Sequence, residues 1–269
     1  MRDQALKRYW EGKSVLLTGA SSGLGWAVTE ALAPFGVHFG LLSRREEKLK
    51  ELAERLAHTG SRFWYRRCDV RDREAVYEAV QEFAKESGKL DVVWANSGVS
   101  YESSMRKWKW EAVEAMIDIN LKGAIYTIRA GLEIMAQQPR GTVVAIGSSA
   151  AMRGLPTRGI YSLTKIGLEY FMESMAAELP HIQFTTIHPG FVDTPINQGN
   201  PNRFWLLQPP EAARLMIRAV AKRKALYIYP WKMAMLHRIV RAVPMGIYLP
   251  MVRKLVHLAK PLPPPDKLE

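Results

Sequence analysis

The chain has 269 residues, of which 48% are hydrophobic, and a formal net charge of +12 at pH 7. This length and apolar fraction suffice for one large α/β domain with a substantial core. A single cysteine, Cys68, excludes an intrachain disulfide framework and favours a reducing compartment. The sequence contains no window of eighteen apolar residues, so it does not predict a helix that spans a membrane. Residues 1–13 are charged and lack the apolar stretch of a signal peptide. The sequence therefore predicts a cytoplasmic protein, soluble or peripheral on a membrane surface.

Strand and helix patterns alternate along the chain, as a parallel sheet covered on both faces requires. The predicted fold class is α/β: a single Rossmann-type doubly wound domain of about seven parallel strands flanked by helices. Residues 1–210 are expected to form the core of this domain, with a lid at about 194–210. Residues 211–260 complete the fold and add a basic amphipathic extension, and the proline-rich tail 261–269 is expected to be poorly ordered. The predicted strands are Ser14–Thr18, Val37–Leu42, Arg62–Arg67, Val92–Ala95, Thr142–Gly147, Gln183–His188 and Leu226–Ile228, and the clearest helices are Glu46–Ala57, Arg73–Glu86 and Tyr161–Glu178.

Three glycines, Gly19, Gly23 and Gly25, lie between the first strand and the first amphipathic helix of this pattern. A glycine-rich turn at that place lets backbone N–H groups approach a phosphate, and the helix N-terminus favours an anion. The spacing is G-x-x-x-G-x-G rather than G-x-G-x-x-G. The alternative is a tight turn that needs glycine only for its backbone conformation.

The end of the second strand carries Ser43, Arg44 and Arg45 and no carboxylate. In dinucleotide folds an acidic residue at this place holds a ribose 2′-hydroxyl, whereas an arginine accommodates a 2′-phosphate. Ser43 and Arg44, with Arg45 as a second clamp, therefore favour NADP(H) over NAD(H). The alternative is that these arginines are solvated charges at a helix start, a position that disfavours cations.

Tyr161 and Lys165 are four residues apart in Y-S-L-T-K, and Ser148 precedes the tyrosine by thirteen residues. Positions i and i+4 share one helix face, so the ammonium of Lys165 can stabilise a phenolate on Tyr161 and lower its pKa. A tyrosine tuned in this way can protonate a carbonyl oxygen that a serine hydroxyl holds. Alone, the pattern also fits an ordinary pair on a helix surface.

Together these motifs resemble the short-chain dehydrogenase/reductase family, and the matches run in family order from about residue 13 to 195. One departure is Ala95-Asn96-Ser97-Gly98, which replaces the N-N-A-G of the family; its asparagine and glycine are expected to preserve the turn. The resemblance implies an adenine contact at Asp69 and a cradle for the nicotinamide in P-G-x-V-x-T. The implied cofactor-binding residues are Gly19, Ser21, Ser22, Gly23, Leu24, Gly25, Ser43, Arg44, Arg45, Asp69, Val70, Asn96, Ser97, Gly98, Tyr161, Lys165, Pro189, Gly190, Val192 and Thr194.

The resemblance also implies a reaction: hydride transfer between a nicotinamide and a carbonyl or alcohol carbon. Tyr161 would be the acid/base, Ser148 would orient the carbonyl, and Lys165 would bind the nicotinamide ribose. Asn120 would hold a water that relays protons to Lys165. The expected protein is an NADP(H)-dependent carbonyl reductase that forms a homodimer or homotetramer. The alternatives are an NAD-dependent alcohol dehydrogenase and a regulatory dinucleotide-binding protein without turnover.

The apolar run Phe204, Trp205, Leu206 and Leu207 lies in the predicted lid, and Met152 and Leu155 lie in the stretch before Tyr161. Apolar side chains at the mouth of the site predict a lipophilic substrate, such as a long-chain aldehyde, an acyl ketone or a polycyclic ketone. The alternative is that the run in the lid is ordinary core packing.

Residues 212–260 contain eleven Lys and Arg side chains and no Asp or Glu. A basic amphipathic segment with tryptophan can lie in an anionic membrane surface, and Pro244 and Pro250 are expected to break it into short helices. The alternative is a segment packed on the domain or on a partner subunit, whereas nucleic-acid binding is disfavoured because no binding module accompanies the charge. The six histidines show no metal-ligand spacing, and Cys68 is expected to be a buried structural thiol.

Overall fold

Seven parallel strands form one sheet in the order β3-β2-β1-β4-β5-β6-β7, with helices on both faces, in a computed structural model that describes residues 3–198 and 203–256. The predicted single doubly wound domain is confirmed. The strands are β1 Ser14–Thr18, β2 His38–Ser43, β3 Arg62–Arg67, β4 Val92–Ala95, β5 Gly141–Ile146, β6 Ile182–Pro189 and β7 Leu226–Tyr229. The helices are α1 Asp3–Trp10, α2 Gly23–Leu32, α3 Glu46–Leu56, α4 Arg73–Ser87, α5 Trp110–Ile117, α6 Gly123–Met135, α7 Gly159–Glu178, α8 Pro209–Ala221, α9 Trp231–Ala242 and α10 Met245–Val256.

The central strands β1, β2, β4 and β5 are buried at every position. Successive strand side chains point to opposite faces, so neighbours such as Leu16 and Leu17 enter two different cores. Leu17 and Phe39 pack in the core covered by α2, α3 and α8, and Leu16 and Leu42 pack in the core covered by α4, α6 and α7. Burial on both faces explains why these strands read as continuous apolar runs in the sequence.

Helix α1 belongs to the domain although it precedes the first strand. Its Trp10 is fully buried and donates a hydrogen bond from Nε1 to the carbonyl oxygen of Ile217 in α8, 3.2 Å away. The indole also lies 6.3 Å from the ring of Trp94 in β4. A large buried aromatic residue with its polar atom satisfied fixes α1 against the sheet.

The basic C-terminal segment divides into two parts. Helix α8 buries Met216, Ile217 and Val220 in the core, and β7 pairs in parallel with β6, so residues up to Tyr229 complete the domain. Helices α9 and α10 follow, with Pro244 between them. Pro250 was expected to break the chain but lies inside α10; an interior proline removes the hydrogen bond of one backbone N–H without necessarily ending a helix. The predicted tail 261–269 lies outside the described residues.

A crevice lies at the carboxyl ends of β1 and β4, where the loops that follow these two strands diverge. From β1 the chain proceeds to β2 and β3 on one side, and from β4 it proceeds to β5, β6 and β7 on the other. In such sheets ligands bind beyond the carboxyl ends of the strands at this point of reversal. None of the helices within the described ranges is both long and apolar enough to cross a membrane.

Candidate active site

The glycine-rich turn between β1 and α2 forms one wall of the crevice. Gly19 has a φ of +71°, in the left-handed region that favours glycine. A methyl group on Gly25 would lie 2.3 Å from the carbonyl oxygen of Gly19, so only glycine fits there. Ser22 caps α2 without a hydrogen bond from its side chain to the helix. Helix α2 therefore begins at a glycine-rich turn, and the N–H groups at such a helix start suit a phosphate.

Asn96 joins this turn to the loop after β4. Its Nδ2 donates to the carbonyl oxygens of Thr18, 3.1 Å away, and Gly19, 3.2 Å away. The backbone N–H groups of Asn96 and Ser97 donate in return to the hydroxyl oxygen of Thr18. Asn96 therefore holds the turn even though the rest of the tetrapeptide departs from N-N-A-G.

Arg45 lies across the glycine-rich turn from the end of β2. Its Nη2 donates to Ser21 Oγ at 2.9 Å and to Ser22 Oγ at 2.8 Å. The hydroxyl of Ser43 accepts a hydrogen bond from the backbone N–H of Arg45 at 3.0 Å and fixes this tight bend. The guanidinium of Arg45 and the hydroxyls of Ser21 and Ser22 thus lie together beside the glycine-rich turn. Arg44 and Arg45 are both exposed, and Arg45 is the one that contacts the serines of the glycine-rich turn.

Asp69 and Val70 follow β3 on the same side of the sheet. Hydrogen bonds from Arg71 hold the pKa of Asp69 below its ordinary value, and the nearby charge of Arg44 acts in the same direction. Val70 is buried against Gly123 at the start of α6. The carboxylate of Asp69 is therefore ionised and paired.

Asn120 lies in a π-helical turn, Asp118–Lys122, between α5 and α6. Such turns occur often at functional sites. The side chain is fully buried: Oδ1 accepts from Val99 N at 2.8 Å, and Nδ2 donates to Val99 O at 2.9 Å. A methyl group on Gly98 would lie 3.4 Å from both Asn120 Oδ1 and Lys165 Nζ. Asn120 and Lys165 therefore meet at Gly98.

Lys165 is buried, and its Nζ donates to the carbonyl oxygen of Ile146 at 2.8 Å. Burial lowers the pKa of Lys165 to about 8. A lysine amine has three donors, and this one lies beside Gly98 at the crevice, a place that fits the binding of ribose hydroxyls.

Tyr161 is half-buried on the same face of α7, one turn before Lys165. Burial raises the pKa of Tyr161, and a hydrogen bond with the hydroxyl of Ser148 partly offsets that rise. We expected Lys165 to lower the pKa of Tyr161, but in the structure this pKa is raised. Lys165 Nζ lies 5.8 Å from the centre of the phenol ring and donates to Ile146 O, and the cation that lowers the pKa of Tyr161 slightly is Arg158.

Ser148 is held by residues that sequence reasoning missed. Its backbone N–H donates to His188 Nδ1 at 2.8 Å. Nδ1 therefore accepts, Nε2 carries the proton, and Nε2 donates to Glu169 Oε2 at 2.6 Å. Glu169 Oε1 accepts from Arg241 Nη1 of α9 at 2.9 Å. This chain of contacts joins a C-terminal helix to the loop of Ser148.

The residues that connect Arg241 to Ser148 strongly shift the pKa values of two groups. Burial alone would raise the pKa of Glu169, but hydrogen bonds from His188 and Arg241 outweigh it and lower the pKa to about 2. His237 stacks on His188 with ring centres 5.7 Å apart, and burial lowers the pKa of His237 to about 4. The sequence held two signals: Glu169 follows Lys165 by four residues, and His188 directly precedes Pro189-Gly190.

The segment from Pro189 to Thr194 extends from the end of β6 to the glycine-rich turn. Gly190 N donates to Tyr229 O of β7 at 2.7 Å, and Val192 and Thr194 are buried. The side chain of Thr194 lies 3.4 Å from the position of a methyl group on Gly23. The segment after β6 and the glycine-rich turn are therefore in contact across one crevice.

The apolar run of the predicted lid is not core packing at its first two positions. Phe204 is 46% exposed and Trp205 is 39% exposed, whereas Leu206 and Leu207 are half-buried. Phe204 contacts Phe191 with ring centres 5.0 Å apart. Residues 199–202 of the lid lie outside the described residues.

Taken together, the residues fit a nicotinamide dinucleotide. A turn with three glycines lies at the start of a helix, hydroxyls and a guanidinium lie beside it, and a buried amine lies at the end of the crevice formed by Gly98. In the described part of the chain, no group of three or more His, Cys, Asp or Glu side chains could hold a metal ion. Cys68 is buried, and burial raises its pKa to about 11, which makes it an inert thiol rather than a nucleophile.

Comparisons with known proteins agree with this geometry. The family model for short chain dehydrogenases matches residues 13–203. An uncharacterized oxidoreductase of Myxococcus xanthus is 33% identical over 247 residues, which cover 90% of this chain and 97% of that protein. An alcohol dehydrogenase of Thermococcus sibiricus, solved with 5-hydroxy-NADP, superposes with a TM-score of 0.75 at 29% identity, covering 81% of this chain and 95% of the other. A short-chain type dehydrogenase/reductase of Mycobacterium marinum has the same fold, with a TM-score of 0.76, 24% identity and coverage of 83% and 96%. The chain belongs to the short-chain dehydrogenase/reductase family of oxidoreductases.

Proposed function

We propose that the chain is an NADP(H)-dependent oxidoreductase that reduces a carbonyl compound or oxidises the corresponding alcohol. The observation that carries this proposal is the convergence of Ser148, Tyr161 and Lys165 beside the glycine-rich turn. When bound, a nicotinamide dinucleotide would supply the hydride for the carbonyl carbon. The Ser148 hydroxyl orients the carbonyl oxygen and the Tyr161 hydroxyl gives it a proton. Lys165 binds ribose hydroxyls, and Asn120 positions a water for the return of the proton.

The preference for NADP(H) rests on charge at the end of β2. The guanidinium of Arg45 and the hydroxyls of Ser21 and Ser22 meet within 3.2 Å, where a 2′-phosphate would need donors. Arg44 adds a second positive charge nearby, and Asp69, the carboxylate near these groups, is already paired with Arg71. The Thermococcus sibiricus alcohol dehydrogenase, solved with an NADP derivative, supports the same choice. An NAD-linked alcohol dehydrogenase is the second candidate within the family.

The substrate that we propose is lipophilic. Phe204 and Trp205 present exposed rings on the lid, and Phe191 links them to the segment after β6. Met152 and Leu155, half-buried before Tyr161, add apolar surface on the other side of the catalytic loop. A ketone, aldehyde or ketoacyl compound with a large apolar part would gain binding energy from these side chains.

The proposal extends to assembly and location. Leu163 and Tyr170 of α7 are 51% and 55% exposed, which supports a homodimer or homotetramer formed through the helix that carries Tyr161. We place the protein in the cytoplasm, a reducing compartment that fits its single buried cysteine.

Oxidation of NADPH, followed by the absorbance of the nicotinamide, tests the function across lipophilic ketones, aldehydes and 3-ketoacyl thioesters. NADH serves as the matched control for the cofactor. Turnover that prefers NADPH supports the proposal and begins to define the substrate. Tight NADPH binding without turnover on any of these compounds favours the rival function, a regulatory protein that only binds the cofactor.

A further inference from the structure

Exposed aromatic side chains of the lid and of α9 form one cluster around a lysine. Phe204, Trp205 and Trp231 are 46%, 39% and 69% exposed. Lys232 Nζ lies 6.0 Å from the centre of the Trp205 ring and 5.9 Å from that of Trp231. Two elements far apart in sequence thus present indole rings and a cation at a single place on the surface.

Helix α9 continues this surface. Trp231, Met235 and Ile239 recur every four residues and are 69%, 51% and 56% exposed, so they form one apolar stripe. The opposite side of the helix buries Met233 and His237 against the domain. A helix with one face in water usually carries polar residues across that face, whereas the exposed side of α9 combines this apolar stripe with the cations Lys232 and Arg238. We call the stripe, with Phe204, Trp205, Lys232 and Arg238, the α9 face.

Cations predominate around the α9 face, although Arg241 is paired with Glu169 and Arg203 is paired with Asp193. A groove of about 610 Å³ between β7 and α9 is lined by Lys224, Arg238 and Arg241 together with apolar side chains such as Leu226 and Trp231, and none of its lining residues is acidic. The whole segment 212–260 contains no Asp or Glu. A partner for this face must therefore be both apolar and negatively charged.

We propose that the α9 face docks on an anionic lipid bilayer. Tryptophan favours the interface between lipid and water, methionine and isoleucine enter the acyl boundary, and the flanking cations bind lipid phosphates. A second copy of the chain is the weaker candidate. A twofold interface apposes the same surface from both subunits, so it would bring these cations against their own copies without a counter-charge.

Docking there gives the active site a route to lipid. Phe191 follows Pro189-Gly190 at the crevice and contacts Phe204, which contacts Trp205 with ring centres 5.0 Å apart. The lid thus connects the crevice to the α9 face, and a lipophilic substrate could enter from the bilayer. This route rests on the proposed function, whereas the docking itself does not require turnover.

Co-sedimentation with vesicles tests the docking independently of activity. The full chain is mixed with vesicles of phosphatidylcholine alone or with one third phosphatidylglycerol, at low and high salt. We expect binding only to the anionic vesicles, and its loss at about 1 M salt, where screening is almost complete. The Lys232→Ala, Arg238→Ala double variant should bind about 30-fold more weakly, because each cation near an anionic bilayer contributes roughly fivefold.

Matched controls come from other surfaces. Trp110 at the start of α5 is 63% exposed, close to the 69% of Trp231, so Trp110→Ala should bind like the wild-type chain while Trp231→Ala binds weakly. The Lys50→Ala, Arg55→Ala double variant on α3 removes the same charge elsewhere and should not reduce binding more than about twofold. Circular dichroism melting confirms that each variant is folded.

Three results would overturn the proposal. The first is equal binding to neutral and anionic vesicles, or binding to neither. The second is an equal effect of Trp110→Ala and Trp231→Ala. The third comes from sedimentation velocity: if Trp231→Ala dissociates an oligomer and vesicles bind no variant, a second copy of the chain covers the α9 face. A failed docking test leaves NADPH turnover untouched, so it is distinct from failure of the proposed function.

Discussion

Replacing Glu169 with glutamine keeps the shape of the side chain but removes the charge between His188 and Arg241. The pKa of Glu169, about 2, lies roughly 2.5 pH units below the ordinary value of a glutamate, which corresponds to about 3 kcal/mol. The side chain of Arg241 is 38% exposed, so solvent screening weakens its share of that energy. We therefore expect Glu169→Gln to lower the free energy of unfolding by about 2 kcal/mol at pH 7.

The pH dependence of this loss has a definite sign. A carboxylate whose pKa is lowered on folding stabilises the native state above its unfolded pKa and ceases to do so as pH falls. The wild-type chain should therefore lose about 2 kcal/mol between pH 4.5 and about 2, and Glu169→Gln should lack this part of the decline. Urea denaturation at a series of pH values measures the difference. Glu173→Gln, on the exposed side of α7 one turn later, is the matched control.

Activity should change with stability in this variant, because Glu169 orients the His188 that holds the backbone of Ser148. We expect kcat to fall roughly tenfold while the Kd for NADPH stays the same, since a small displacement of a catalytic group costs rate more than cofactor affinity. A Glu169→Gln protein with wild-type stability at pH 7 and unchanged kcat would refute the reasoning. An effect equal to that of Glu173→Gln would refute it too.

Three further outcomes follow from the site. In steady-state kinetics, Arg45→Ala should raise KM for NADPH far more than KM for NADH, and Arg44→Ala should do the same to a smaller extent. Equal effects on KM for the two cofactors would exclude a 2′-phosphate clamp. Gly25→Ala places a methyl group 2.3 Å from Gly19 O, so NADPH affinity, measured by fluorescence titration, should fall sharply with at most about 3 kcal/mol of lost stability. With a pKa of about 11, Cys68 should react with iodoacetamide at pH 8 about 100-fold more slowly than free cysteine; a comparable rate, followed by mass spectrometry, would contradict its burial.

Much of the fold is predictable because its signals are local. Strands β3 and β4 have the predicted bounds, and β2 differs from its prediction by one residue at each end. A buried parallel strand needs apolar residues at consecutive positions, and a glycine-rich turn needs residues without side chains, so both leave a mark on the sequence. Tyr161 and Lys165 are visible for the same reason, since they share one turn of helix.

What the sequence did not predict depends on elements that meet only in three dimensions. Glu169 and His188 are 19 residues apart, and Arg241 is 72 residues beyond Glu169, on a helix that returns to the catalytic loop. No periodicity joins residues at such separations. The pKa of Tyr161 is a second case, because burial and the contact with Ser148 decide it and neither can be read from spacing.

The central claim is that Tyr161 transfers the proton, and the Tyr161→Phe variant tests it most directly. The variant keeps the ring on α7 and removes only the hydroxyl, so the cofactor cradle stays intact. On any carbonyl compound that the wild-type chain reduces with NADPH, we predict a fall in kcat of at least about 100-fold, with the Kd for NADPH within about twofold of the wild-type value. Turnover at the wild-type rate in Tyr161→Phe would contradict the mechanism.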